Sequence, residues 1–109
     1  MEILDNTLLP GGVNPSQLET WKRQHGKVHQ LTLKNRPELA AYFRNPKLTE
    51  IKASTAMAKR DEIDALFTLY NNCKLYVSAE IEADDMLKLS IASQLGILIK
   101  LEEVEVKNV

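Results

Sequence analysis

The chain has 109 residues, 44% of them hydrophobic and 27% charged, ordinary values for one globular domain and too apolar for wholesale disorder. Its 14 basic and 15 acidic side chains leave a net charge of −1, which excludes an overall field that attracts nucleic acid or an anionic membrane. Cys73 is the only cysteine, so an intrachain disulfide is excluded and a reducing compartment is expected.

Residues 1–14 combine Ile3, Leu4, Leu8 and Leu9 with the turn-forming Pro10, Gly11 and Gly12, which predicts a flexible arm, or a tail loosely docked through its leucines on the body or a neighbouring subunit, ahead of a single domain over 15–109. The N-terminus has no basic stretch followed by an apolar run, and nowhere do about 18 apolar residues follow one another. The expectation is therefore a cytoplasmic protein without a membrane span.

Asn14 followed by Pro15 opens a helix, the amide capping an orphan N–H and the proline needing no donor. It is predicted to run to His25, with Leu18 and Trp21 on one face and Gly26 as its stop. Lys27 to Leu33 then alternates, His29, Leu31 and Leu33 against Val28, Gln30 and Thr32, the pattern of a half-buried strand. From Glu38 to Arg44 helix and strand stay open: the alanines favour helix, whereas Tyr42 and Phe43 suit a strand.

Thr49 to Ala58 reads as a peripheral helix with a thin apolar stripe. Asp61 is positioned to cap a clearer helix, in which Ile63, Leu66, Phe67, Tyr70 and Cys73 recur at helical spacing. After a connection over Lys74 to Glu82, Asp84 or Asp85 opens a second strong helix to about Ile99. Leu87, Ile91, Leu95 and Leu98 form its stripe, and Met86, Leu89 and Ile97 broaden the apolar surface beyond it. Leu101 to Val109 carries the alternation Val104, Glu105, Val106, Lys107, a strand expected to pair with Val28–Leu33. The fold class expected is α+β, mostly helical, with about four helices packed on a small antiparallel sheet.

Each tempting chemistry has a simpler structural explanation. Cys73 lies on the predicted core face of its helix, where a lone thiol acts as a small hydrophobe. His25 and His29 have metal-ligand spacing only on an unbroken helix, and Gly26 interrupts it. Glu80, Glu82, Asp84 and Asp85 lack the glycine turn and distal glutamate of a calcium loop, and suit helix capping. No phosphate-binding or serine-hydrolase motif occurs in the sequence. No catalytic residue, metal or cofactor is assigned.

The order of short motifs is more informative. LETWKRQHGKVHQLTL, AYFRNP, ALFTLYNNCKLYVSAEI and DDMLKLSIASQLGILIKLEEVEVKN follow one another over residues 18–108. In this order they resemble a group of small bacteriophage and prophage proteins similar to tail assembly chaperones. The matching positions are Trp21, Lys22, Gly26, Tyr42, Phe43, Arg44, Pro46, Asn72 and Cys73. One departure is that YVSAE, Tyr76 to Glu80, stands where that family often has a glycine and an acidic residue.

The resemblance implies a non-catalytic protein of tail morphogenesis in the bacterial cytoplasm. It would form homo-oligomers and bind the tail tape measure protein or tail tube subunits. Trp21, Tyr42, Phe43, Arg44, Met86, Leu89 and Ile97 are the candidate partner-binding residues. The alternative is a small nucleic-acid-binding regulator, in which Trp21, Tyr42 or Phe43 stacks on bases beside Lys22, Arg23, Lys27, Lys34, Arg36, Arg44, Lys59 and Arg60.

Overall fold

A computed structural model describes residues 8–98 and 105–109. Among these, five α-helices accompany a three-stranded antiparallel sheet, so the chain is an α+β domain. The elements are α1 (Pro15–His25), β1 (Val28–Leu33), β2 (Arg36–Arg44), α2 (Leu48–Ala58), α3 (Glu62–Cys73), β3 (Lys74–Val77), α4 (Ala79–Glu82) and α5 (Asp85–Leu98). The strand order is β1-β2-β3, which places β2 in the middle.

That central position resolves the Glu38 to Arg44 ambiguity in favour of a strand. Leu39, Ala40, Ala41, Tyr42 and Phe43 are all buried, because both faces of the sheet are covered. Leu39, Ala41 and Phe43 pack with Leu69, Tyr70, Cys73, Ile81, Ile91 and Leu95 of the helical layer. Ala40 and Tyr42 face the other way, into a smaller cluster with Val13, Leu9, Leu18 and Trp21. Burial on both faces replaces alternation by a continuous apolar run, which has no period for a reader of the sequence to detect.

β1 takes the register expected of its alternation. Leu31 and Leu33 belong to the helical-layer core and Val28 to the opposite cluster. Its partner is β2, with Leu31 opposite Ala41 and His29 opposite Phe43. Of the strand expected over Leu101 to Val109, residues 105–109 have no regular structure, and 101–104 lie outside the described residues. The third strand is β3 instead, with Tyr42 opposite Tyr76. Its last two residues, Tyr76 and Val77, begin the YVSAE stretch. Ser78 extends the pairing, its N–H donating to the Ala40 carbonyl at 2.9 Å and its Oγ accepting from the Ala40 N–H at 2.9 Å.

The helix starts follow local chemistry. Asn14 Oδ1 accepts from the Ser16 N–H at 3.1 Å, Asp61 Oδ1 from the Ile63 and Asp64 N–H groups at 3.0 Å, and Asp84 Oδ1 from the Met86 N–H at 2.9 Å. Gly26 ends α1 at φ 80°, the left-handed region where glycine carries no steric penalty. α3 is rotated from its expected face: Ala65 and Leu69 join Tyr70 and Cys73 in the core, while Ile63 is 51% exposed. α2 contributes no buried residue, as its thin stripe predicted.

Of the arm expected over 1–14, residues 8–14 lie against the outer face of the sheet. Val13 is buried, the Tyr42 hydroxyl donates to the Pro10 carbonyl at 2.8 Å and the Tyr76 hydroxyl to the Gly11 carbonyl at 2.9 Å. Gly11 sits at φ +82°, and a Cβ there would stand 3.2 Å from both Ala40 Cβ and Tyr76 Cε2. Gly11→Ala is therefore expected to cost about 1–2 kcal/mol, the ordinary penalty of the left-handed conformation. Chemical denaturation measures it, and the neighbouring Gly12→Ala, at φ +77° but with no atom within 4 Å, separates conformational cost from crowding.

Candidate functional site

The seven residues expected to bind a partner divide into two groups. Tyr42 and Phe43 are fully buried. They are not surface residues, because the strand that carries them is central to the sheet. Tyr42 stacks against Trp21 at 5.5 Å between ring centroids, and Phe43 against Tyr70 at 5.3 Å. Trp21 is half-buried, packed on the cluster around Tyr42.

Arg44 is committed to internal contacts. Its guanidinium donates to both carboxylate oxygens of Glu50, at 2.8 and 2.7 Å, to the Asn72 carbonyl at 2.6 Å and to the Asn45 carbonyl at 3.0 Å. One side chain thus ties the end of β2 to the first turn of α2 and the last turn of α3. The bidentate pairing holds the Glu50 carboxyl down at about 2 and raises the Arg44 pKa. Glu50 also accepts from the Lys47 N–H at 2.8 Å, closing the start of α2.

Cys73 is fully buried beneath this clamp. Burial pushes its thiol up to about 11, the opposite of what a nucleophile needs. Tyr70 donates to Glu82, which also pairs with Lys74 at 3.3 Å. Burial raises the Tyr70 pKa, and the hydrogen bond to Glu82 adds to it. At Glu82 burial acts upward, but the hydrogen bonds from Tyr70 and Lys74 and the charges of Lys74 and Lys88 prevail and lower its pKa. These contacts join α3 to β3 and α4; elsewhere in the acidic stretch Asp84 caps α5 and Glu80 lies 3.7 Å from Arg36. His25 ends α1, whereas His29 lies in β1 with Nε2 2.7 Å from Asn45 Oδ1, so Gly26 separates the two histidines. Among the described residues no three His, Cys, Asp or Glu side chains gather to hold a metal ion.

The second group is exposed. Met86 is 70% and Ile97 59% accessible, and Leu89 is partly so. At about 100° per residue Met86, Leu89, Ser93 and Ile97 share one side of α5, opposite the buried Ile91, Ala92 and Leu95. The apolar part of that side spans roughly 16 Å. Near its Ile97 end, an open groove of about 810 Å³ runs between α2, α3 and the end of α5, its floor formed by Ile51, Ala65, Leu66, Leu69 and Leu98. Gly96 faces the Leu66 side chain of α3, whose Cδ2 would stand 2.9 Å from a Cβ at position 96.

Ser78 and Glu50 are the structural residues that the sequence does not single out. Glu50 had a readable signal, an acidic residue in the first turn after Asn-Pro-Lys, but its arginine lies six positions earlier across a loop. No helix of the described residues is long and apolar enough to cross a membrane. Neither family models, curated proteins nor solved structures give a match to this chain.

Proposed function

We propose that the chain is a non-catalytic assembly protein that binds another protein through the outer side of α5. Its sequence resemblance points to tail morphogenesis, in the manner of tail assembly chaperones acting on the tape measure or tail tube protein in the bacterial cytoplasm, and to self-association. The observation that carries this reading is the apolar stripe Met86, Leu89 and Ile97 on the helix face turned away from the core. Exposed apolar side chains aligned on one helix favour burial by a partner at about 25 cal/mol per Å².

The nucleic-acid alternative draws on the same aromatic residues with less success. Tyr42 and Phe43 offer no face to a base, Trp21 is packed against Tyr42, and Arg44 is held by Glu50.

Co-expression of the tagged protein with the genes that flank its own is expected to yield a stoichiometric complex with the tail tube or tape measure protein. The complex should persist in 0.5 M salt, roughly where exposed ionic contacts are screened. Recovery of the tagged chain without either tail protein would refute the proposed partner, and salt-dependent retention of DNA or RNA would favour the alternative.

A further inference from the structure

The two faces of β2 are closed in different ways. The helical-layer cluster holds eleven buried residues, whereas the outer cluster holds three, Val13, Ala40 and Tyr42. Residues 8–13 lie over Ala40 and Tyr42, and Val13 is the one buried side chain among them. The segment is closed on itself: the Leu9 N–H donates to the Val13 carbonyl at 2.8 Å and the Gly12 N–H to the Leu9 carbonyl at 2.9 Å. Among the described residues no backbone hydrogen bond joins it to a strand. It is fastened by side chains, the hydroxyls of Tyr42 and Tyr76 donating to the successive carbonyls of Pro10 and Gly11.

Such an attachment is released without stranding a polar group. Tyr42 still accepts from Gln30 Nε2 at 3.0 Å, the Tyr76 side chain is already 37% exposed, and the two carbonyls pass to water. The turn keeps its own hydrogen bonds. A segment with one buried side chain and no ladder bonds stands at the low end of a protein's local stabilities, while the sheet beneath it is anchored by the other core. Opening bares Tyr42, the middle of an aromatic row in which Trp21 lies 5.5 Å and Tyr76 6.5 Å from it between ring centroids.

We propose that residues 8–13 are a strap that opens as a unit while the rest of the domain stays folded, so that Tyr42 is accessible in the open form and covered in the closed one. The device is separate from the function proposed above and does not depend on α5 or its partner.

Nitration of the full chain by limiting tetranitromethane, mapped by mass spectrometry, tests it. Tyr42 and Tyr70 are both fully buried, the first beneath the strap and the second in the helical-layer core, so they report two kinds of opening. Tyr42 is expected to react at least about tenfold faster than Tyr70. Ile91→Val, a mild change in the helical-layer core, should raise Tyr70 labelling roughly two- to tenfold and leave that of Tyr42 unchanged. Gly11→Ala, which strains the closed strap at φ +82°, should raise Tyr42 labelling about tenfold. Circular dichroism verifies that both variants are folded.

A Tyr42 that reacts no faster than Tyr70, or that follows Tyr70 in Ile91→Val, would mean that it is reached only by unfolding of the whole domain and would overturn the strap. A Tyr42 indifferent to Gly11→Ala would overturn residues 8–13 as its cover in solution.

Discussion

Phe43→Ala is expected to destabilise the protein by about 3–5 kcal/mol, the range for truncating a fully buried aromatic side chain. Phe43 is inaccessible, packs against Tyr70 and belongs to the cluster that joins β2 to α3 and α5. In a domain of this size the change should lower the melting temperature by more than about 10 °C. Tyr42→Phe is the informative control. It keeps the ring against Trp21 and loses only the hydroxyl, which donates to the Pro10 carbonyl and accepts from Gln30 Nε2 at 3.0 Å, at about 1 kcal/mol. A surface role for Phe43 predicts a change within about 0.5 kcal/mol, so thermal and urea melts separate the two placements.

Arg44→Ala carries the second large effect. It removes a bidentate pair and two carbonyl contacts at once, with an expected loss of about 1.5–3 kcal/mol. The pair also has a pH signature. Glu50 has its carboxyl lowered from 4.5 to about 2 in the folded chain, so it binds a proton less readily there than in the unfolded one. Its stabilisation is complete above the ordinary carboxylate range and is lost as the pH falls through about 4.5 towards 2. Urea melts between pH 6 and pH 2.5 should show this loss in the wild type, and a shallower one in Arg44→Ala. Equal slopes would mean that Arg44 does not set the Glu50 proton affinity.

Where one residue decides a local structure, the sequence is easy to read. Asn14, Gly26, Asp61 and Asp84 mark helix ends through the hydrogen bonds of one side chain or one positive φ, and β1 declares itself because its two faces meet different surroundings. β2 does not, since its faces meet two apolar layers. β3 is short, and its pairing is completed by the Ser78 hydroxyl on Ala40, a contact 38 positions away in the chain. The face of α3 was displaced for a related reason: Ala65 is a small side chain where α3 packs closely, while Ile63 lies at the first turn beyond that packing.

The candidate surface was legible in part for the same reasons. The excess apolar width of the last helix points to Met86, Leu89 and Ile97, which turn away from the core. Tyr42, Phe43 and Arg44 stand out as a motif for a different cause, since one short segment supplies both cores and the clamp at the end of the sheet. Tyr42 and Phe43 are inaccessible there, one in each core.

The outer face of α5 is best tested by Met86→Asp combined with Ile97→Asp, measured for co-purification with the tail tube or tape measure protein beside a melting curve of the variant alone. The account predicts an unchanged melting temperature to within about 3 °C, since both side chains are exposed, and loss of the complex. A variant that melts normally and still retains the tail protein would contradict it.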